Sequence, residues 1–328
     1  MYNDMMDILS LIGRDTDRVE LIKHGNDVFR LISGDESFFL KTYTKDWYGT
    51  DPASTGFHAI HENMAWAILA RHGLSVPKVA YVSSDCDNPL SRPFILTREL
   101  KGHPLTTLMN EGNREEQSAL FVAIGDYLRK MHEITFEFPG YLSTLSGPTE
   151  PPDPNGWQHR CWSAQARESD ACKQIQADQP ELTQMTYSEA KQLCSQIETR
   201  LATAYQPPRF THGDCHAHQF FLTSNGSNWF VTGVLDMEVS SAGDCGEDFL
   251  KICLELAQRL DYETHWWEAL FTGYGSTPDF GAFRLRFLGV KPIEFGNSGK
   301  WIRTQNREAI VSRFLRARDW SEFFAPIG

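Results

Sequence analysis

Short apolar runs punctuated by turn residues dominate the first hundred positions. Residues 19–22, 28–33 and 37–44 are β-rich and are separated by His24-Gly25-Asn26-Asp27 and by Gly34-Asp35, a pattern that predicts an antiparallel meander. After a loop at 46–56 the period lengthens, and Ala65, Ile68, Leu69 and His72 recur at helical spacing within 57–72, a run closed by Gly73 and Pro77. Residues 79–83 and 94–97 supply two more strands. The expectation is a five-stranded antiparallel sheet with one packed helix, a small lobe over residues 1–98.

From residue 99 to 328 the periodicity is mainly helical. Helices are predicted at 105–109 and at 115–134, where Leu120, Ile124, Leu128 and Met131 share a face, and at 244–260, where Phe249, Ile252, Cys253 and Leu256 would be buried. A proline-rich loop at 140–156 precedes a polar helical stretch at 165–205. One interruption is of β character: 220–223 and 229–235 read as strands joined through Asn225-Gly226, a hairpin signal. The predicted fold class is α+β, with two lobes sharing one cleft.

Composition narrows the setting. The chain has 328 residues, 41% hydrophobic and 23% charged, which are globular values. No segment approaches the roughly 20 apolar residues needed to cross a bilayer, so no membrane partner is expected. A formal net charge of -12 argues against binding a nucleic-acid backbone, which needs clustered Lys and Arg. Seven irregularly spaced cysteines read as free thiols in a reducing compartment, and residues 1–14 lack the basic start and cleavable apolar core of a signal peptide. A cytoplasmic protein, monomer or homodimer, is expected.

The chemistry concentrates in His212-Gly213-Asp214-Cys215-His216-Ala217-His218-Gln219 and, 22 residues after Asp214, Asp236-Met237-Glu238. Phosphoryl transfer asks for a base near the acceptor hydroxyl, oxygen ligands for Mg²⁺ and a cation on the nucleotide phosphates. Asp214 fits the base, Gln219 and Asp236 the metal ligands, and Lys41, set among apolar residues of its strand, the cation, with Glu62 on the next helix as its partner. Two other readings stay open: a non-catalytic nucleotide-binding protein of the same fold, and a zinc hydrolase built on His212, His216 and His218.

At these residues the chain resembles the aminoglycoside phosphotransferase and choline kinase group of small-molecule kinases, which share the protein-kinase-like fold. Thr211-His212-Gly213-Asp214-Cys215-His216 is similar to the family's catalytic loop, Val234-Leu235-Asp236-Met237-Glu238 with Gly243-Asp244 and Asp248 to its metal strand and following helix, and Leu128-Arg129-Lys130-Met131-His132 to a helix end before its substrate insertion. The resemblance implies that Asp214 is the base, that Asp236 binds Mg²⁺ and that Lys41 and Glu62 form the nucleotide ion pair. It implies that His212 supports the loop and that Asp248 braces it by hydrogen bonds to its backbone. Asn26, in the phosphate loop, would donate to phosphate, and residues 94–99, including Thr97 and Glu99, would be the hinge that meets the base of ATP or GTP. Gln219 stands where the family has Asn, Ala217-His218 replaces Pro-Gly, and the phosphate loop has one glycine. The acceptor would be a hydroxyl of a small molecule, cationic or sugar-like, such as an aminoglycoside. Glu238, Asp244 and Glu247 are candidate acids facing it; Trp157, Trp162, Trp266 and Trp267 are either pocket or core.

Overall fold

The computed structural model describes residues 2–23, 27–43, 54–149, 207–226, 228–258, 265–281, 283 and 317–325. They form two compact units, one of Met1–Thr107, Leu142–Ser146 and His218–Ser240, the other of Leu108–Tyr141, Gly147–Ala217 and Ser241–Gly328. The predicted stretch 165–205, Trp157, Trp162 and Asn26 lie outside the described residues. Among the described residues no helix is long and apolar enough to cross a membrane.

The first unit is built on an antiparallel sheet of β1 (Arg18–Lys23), β2 (Val28–Ser33), β3 (Glu36–Thr42), β4 (Val79–Ser83) and β5 (Phe94–Arg98), in the order β1-β2-β3-β5-β4. Period-2 alternation separates its faces. Phe29, Leu31, Phe38, Leu40, Phe94 and Leu96 pack on one face beneath Met5, Ile8 and Leu9, which come from helix α1 (Tyr2–Met6) and the 3₁₀ turn after it. Each fully buried side chain of this kind contributes about 1.5–3 kcal/mol. The register sets Lys41 opposite Ile95 and Phe39 opposite Thr97, on the other face. Helix α2 (Ser54–Arg71) supplies Glu62 to that face.

The same unit holds the predicted hairpin, β9 (Phe220–Asn225) and β10 (Asn228–Val234), which pairs Asn228 with Asn225. A third strand, β6 (His103–Pro104), joins β9 and was not expected. Its approach depends on Gly102, at φ 97°, where a Cβ would stand 2.0 Å from the Leu222 carbonyl oxygen.

In the second unit helix α4 (Arg114–His132) begins at a capping box: the Asn113 side chain accepts from Glu115 and Glu116 amides while Glu116 accepts from the Asn113 amide. Its predicted face, Leu120, Ile124, Leu128 and Met131, is buried. It packs closely on helix α6 (His265–Tyr274), since a Cβ at Gly125 would meet the Leu270 carbonyl oxygen at 2.1 Å and one at Gly273 the Val122 carbonyl oxygen at 2.0 Å. A small sheet places β11 (Ser241–Gly243) between β7 (Gly140–Tyr141) and β8 (Arg209–Thr211).

The run predicted as one helix over 244–260 is two pieces. Asp244 accepts the Gly246 amide and starts a 3₁₀ turn, Cys245–Glu247, and only then does α5 (Asp248–Gln258) begin. A glycine two residues past a capping aspartate favours the tight turn over the first turn of an α-helix. Trp266 is core, stacked on Phe121 and donating to Gln117, and Trp267 stacks on Phe324. Cys86, Cys215, Cys245 and Cys253 are free thiols; the other three cysteines lie outside the described residues.

Candidate active site

The first unit gathers charge around Lys41. Its ammonium nitrogen lies 2.8 Å from Glu62 Oε2, 2.5 Å from Asp236 Oδ1 and 3.5 Å from Glu238 Oε2. One ligand oxygen from each of the three carboxylates falls within 4.8 Å of the others, and among the described residues this is the only such group of three or more metal-ligating side chains. Glu62 is 1% exposed; it also accepts the Tyr43 hydroxyl at 2.5 Å and, through Oε1, the Met237 amide at 3.2 Å. Tyr43 is two residues beyond Lys41, so the strand period brings both to one face, with the ammonium 5.1 Å from the phenol ring centre.

Electrostatics follow from burial and sign. Burial opposes the charge on Lys41, yet Asp236 and Glu62 outweigh it and hold its pKa well above the usual value. Burial likewise opposes ionisation of Asp236, but the Lys41 ammonium pulls its carboxyl below the usual range. Glu238 is pushed up to about 7, first by burial and then by Asp236 and Glu62. Tyr43 is held neutral by burial and by Glu62, which keeps it a hydrogen-bond donor.

Asp236 sits at φ 63°, ψ 49°, a left-handed conformation that costs an L-residue roughly 1–2 kcal/mol and that Asp adopts more readily than most. The turn ends β10 and swings the carboxylate to Lys41. Gln219 directs its amide nitrogen to Asp236 Oδ2 at 3.2 Å, so a cation at that carboxylate meets the amide oxygen only after a half-turn about the last side-chain bond. Thr97 and Glu99 make their bonds within the sheet: the Thr97 hydroxyl donates to the Phe39 carbonyl at 3.4 Å, while the Glu99 amide donates to the Ser37 carbonyl and its carboxylate accepts from Arg30.

The second unit holds Asp214. The loop it stands on is tied to α5, whose Asp248 accepts the amides of His212 at 2.8 Å and Gly213 at 2.9 Å, as expected for a brace of the loop backbone. Asp248 is itself held by His132 Nε2 at 3.0 Å, and His132 Nδ1 contacts the Tyr274 hydroxyl at 3.0 Å. Burial opposes the Asp248 charge, but the His132 hydrogen bond outweighs it and lowers the pKa. His212 is buried and its Nδ1 accepts the Asp214 amide at 3.2 Å, which closes the turn.

Lys251 of α5 forms an ion pair with Asp214 Oδ1, and Glu255 accepts the Ala217 amide at 2.7 Å. Neither was singled out in the sequence. The available signal was spacing, because 248, 251 and 255 share one helix face. His212, His216 and His218 form no convergent ligand group, and His218 is exposed, which removes the geometry a zinc centre needs. Glu238 belongs to the Lys41 cluster, while Asp244 caps its own turn.

A family model described as the phosphotransferase enzyme family matches residues 19–288. Solved structures share the fold at low identity. The GDP and kanamycin complex of APH(2")-IIIa has a TM-score of 0.63 at 13% identity, covering 97% of this chain and 99% of that one. A thermostable mutant of aminoglycoside phosphotransferase APH(4)-Ia, in its apo form, has a TM-score of 0.60 at 12% identity, covering 96% and 98%. The streptomycin-ATP-APH(2")-IIa ternary complex has a TM-score of 0.55 at 16% identity, covering 98% and 97%. No curated protein sequence matches significantly. The match of the family model over most of the chain, on a protein-kinase-like fold, means that the chain belongs to the phosphotransferase enzyme family and is a small-molecule kinase.

Proposed function

We propose that the chain moves the γ-phosphate of ATP or GTP to a hydroxyl of a small cationic or sugar-like acceptor such as an aminoglycoside, with Asp214 receiving the hydroxyl proton as the new oxygen–phosphorus bond forms. Lys41, oriented by Glu62, contacts the α and β phosphates. Asn26 donates to phosphate, and Thr97 and Glu99 flank the nucleotide base. The observation that carries the reading is the charge at Lys41: three carboxylates gather on one ammonium in a part-buried site, so acidic groups outnumber the cation that holds them.

That imbalance, and a donor set made of oxygens, fit a divalent hard cation. Asp236 and Gln219 would hold Mg²⁺, with Glu238 beside them. When bound, Mg²⁺ neutralises phosphate charge and aligns the transferred group. The chain's own share is to fix Lys41, keep Tyr43 as a donor to Glu62 and hold Asp214 on a braced loop. Family relatives solved with kanamycin, streptomycin, ATP or GDP support the reactant classes.

The test is a screen of hydroxyl compounds, aminoglycosides included, for stimulated release of ADP or GDP in the presence of Mg²⁺. Release that requires an acceptor and disappears in Asp214→Ala is the expected result. Thermal stabilisation by Mg²⁺ and nucleotide with no turnover would favour a non-catalytic binder.

A further inference from the structure

Asp248, Lys251 and Glu255 lie at i, i+3 and i+7 on α5, a spacing that lines one helix face. All three engage the loop of residues 212–217. The outer two take backbone amides: Asp248 those of His212 and Gly213, Glu255 that of Ala217. The middle one reaches a side chain, Asp214, on Oδ1. His216 Nε2, 3.9 Å away, faces the same oxygen, so Oδ2 is the oxygen without a partner among the described residues.

With the loop backbone already fixed, the freedom left to Asp214 is rotation of its own side chain, which is 24% exposed. We propose that Lys251 is a positioning residue for phosphoryl transfer: its ammonium holds one carboxylate oxygen of Asp214 so that the other is presented to the acceptor hydroxyl. This rests on the reading of Asp214 as the base. A misplaced catalytic group is costly, since an error near 1 Å lowers rate on the order of 100-fold. Lysine suits the task because a compact ammonium on a long stem can cap one oxygen without the bidentate grip of arginine, which would occupy both.

The experiment uses the full chain, with Mg²⁺ and ATP or GTP as donor and either kanamycin or water as acceptor probe, reading nucleoside diphosphate release. Lys251→Met should lower kcat roughly 10- to 100-fold, with the nucleotide KM and the thermal unfolding midpoint close to those of the parent. Lys251→Gln, neutral and one bond shorter, should show a similar loss, and Lys251→Arg, whose fork can take both oxygens, should recover no more than part of it. A Lys251→Met or Lys251→Gln protein that folds and keeps the parent kcat would overturn the proposal while an inactive Asp214→Ala left the base assignment standing. Full activity in Asp214→Ala would overturn both.

Discussion

The Lys41 centre and the Asp214 centre are built on opposite principles. Around Lys41, side chains from β3, α2 and the turn after β10 converge with more negative than positive charge, and the backbone at Asp236 is held in a left-handed turn. Around Asp214, one helix face absorbs the loop amides and one lysine answers the carboxylate. The first centre is electrostatically incomplete, which fits the metal–nucleotide site proposed for it. The second has its loop amides and one oxygen of its carboxylate taken, which leaves the other oxygen open, as a group that must be aimed rather than charged requires.

The comparison breaks first at Asp214. Removing a positioned base costs about 10²–10⁴-fold in rate, so Asp214→Ala should all but abolish transfer while nucleotide-dependent thermal stabilisation stays near that of the parent chain. A variant that loses nucleotide binding along with turnover would mean that the Asp214 centre also serves binding, and the contrast with Lys41 would collapse.

How far the sequence reveals these centres depends on whether the signal is local. Strands β2 and β4 match their predicted bounds, and Lys41 and Glu62 are legible as a pair because a lysine in an apolar strand needs an anion nearby. The short strands β6, β7, β8 and β11 are not legible, since two or three residues carry no detectable alternation. The break between the 3₁₀ turn at Cys245–Glu247 and α5 depends on one side-chain cap. Glu238 reads from sequence only as a candidate acid facing the acceptor, because its membership of the Lys41 cluster is set by a tertiary approach. Lys251 and Glu255 share a helix face with Asp248, but the spacing alone does not say which segment that face meets.

Acidity should distinguish the units next. His61, one residue before Glu62 and buried in the first unit, bonds the Ser240 carbonyl oxygen at 2.7 Å, and burial lowers its pKa from 6.5 to about 4. Below pH 6.5 the unfolded chain takes up a proton that the folded chain refuses until about pH 4, so this residue's stabilising share is present above pH 6.5 and is lost as pH falls through that window. The loss amounts to about 3 kcal/mol across the window. His61→Gln keeps a donor for Ser240 and should flatten the denaturation midpoint against pH by that amount; identical slopes for the two proteins would contradict it.

Asp236→Ala is expected to act on binding rather than on fold. It removes the carboxylate nearest Lys41 and the partner of Gln219. The Mg²⁺-dependent part of nucleotide affinity should fall roughly 10- to 100-fold, the value of one or two charged hydrogen bonds. Titration calorimetry with and without Mg²⁺ separates that part from the metal-free remainder, and an equal loss in both conditions would remove Asp236 from the proposed metal site.

The smallest effect tests where the Lys41 centre ends. The Tyr43 hydroxyl donates to Glu62 Oε2 from a ring that is 1% exposed. In Tyr43→Phe, Glu62 still has the Lys41 ammonium and the Met237 amide, so no buried charge is stranded and the cost to unfolding free energy should be about 1.5 kcal/mol, the low end for a bond to a charged group. Nucleotide affinity should change little, because the hydroxyl carries no charge and touches only the carboxylate that orients the lysine. A loss of Mg²⁺-dependent affinity as large as that in Asp236→Ala would mean that the direction of Glu62, and through it of Lys41, is set by Tyr43. The functional cluster would then extend from the charged groups to the aromatic residue two places along the strand.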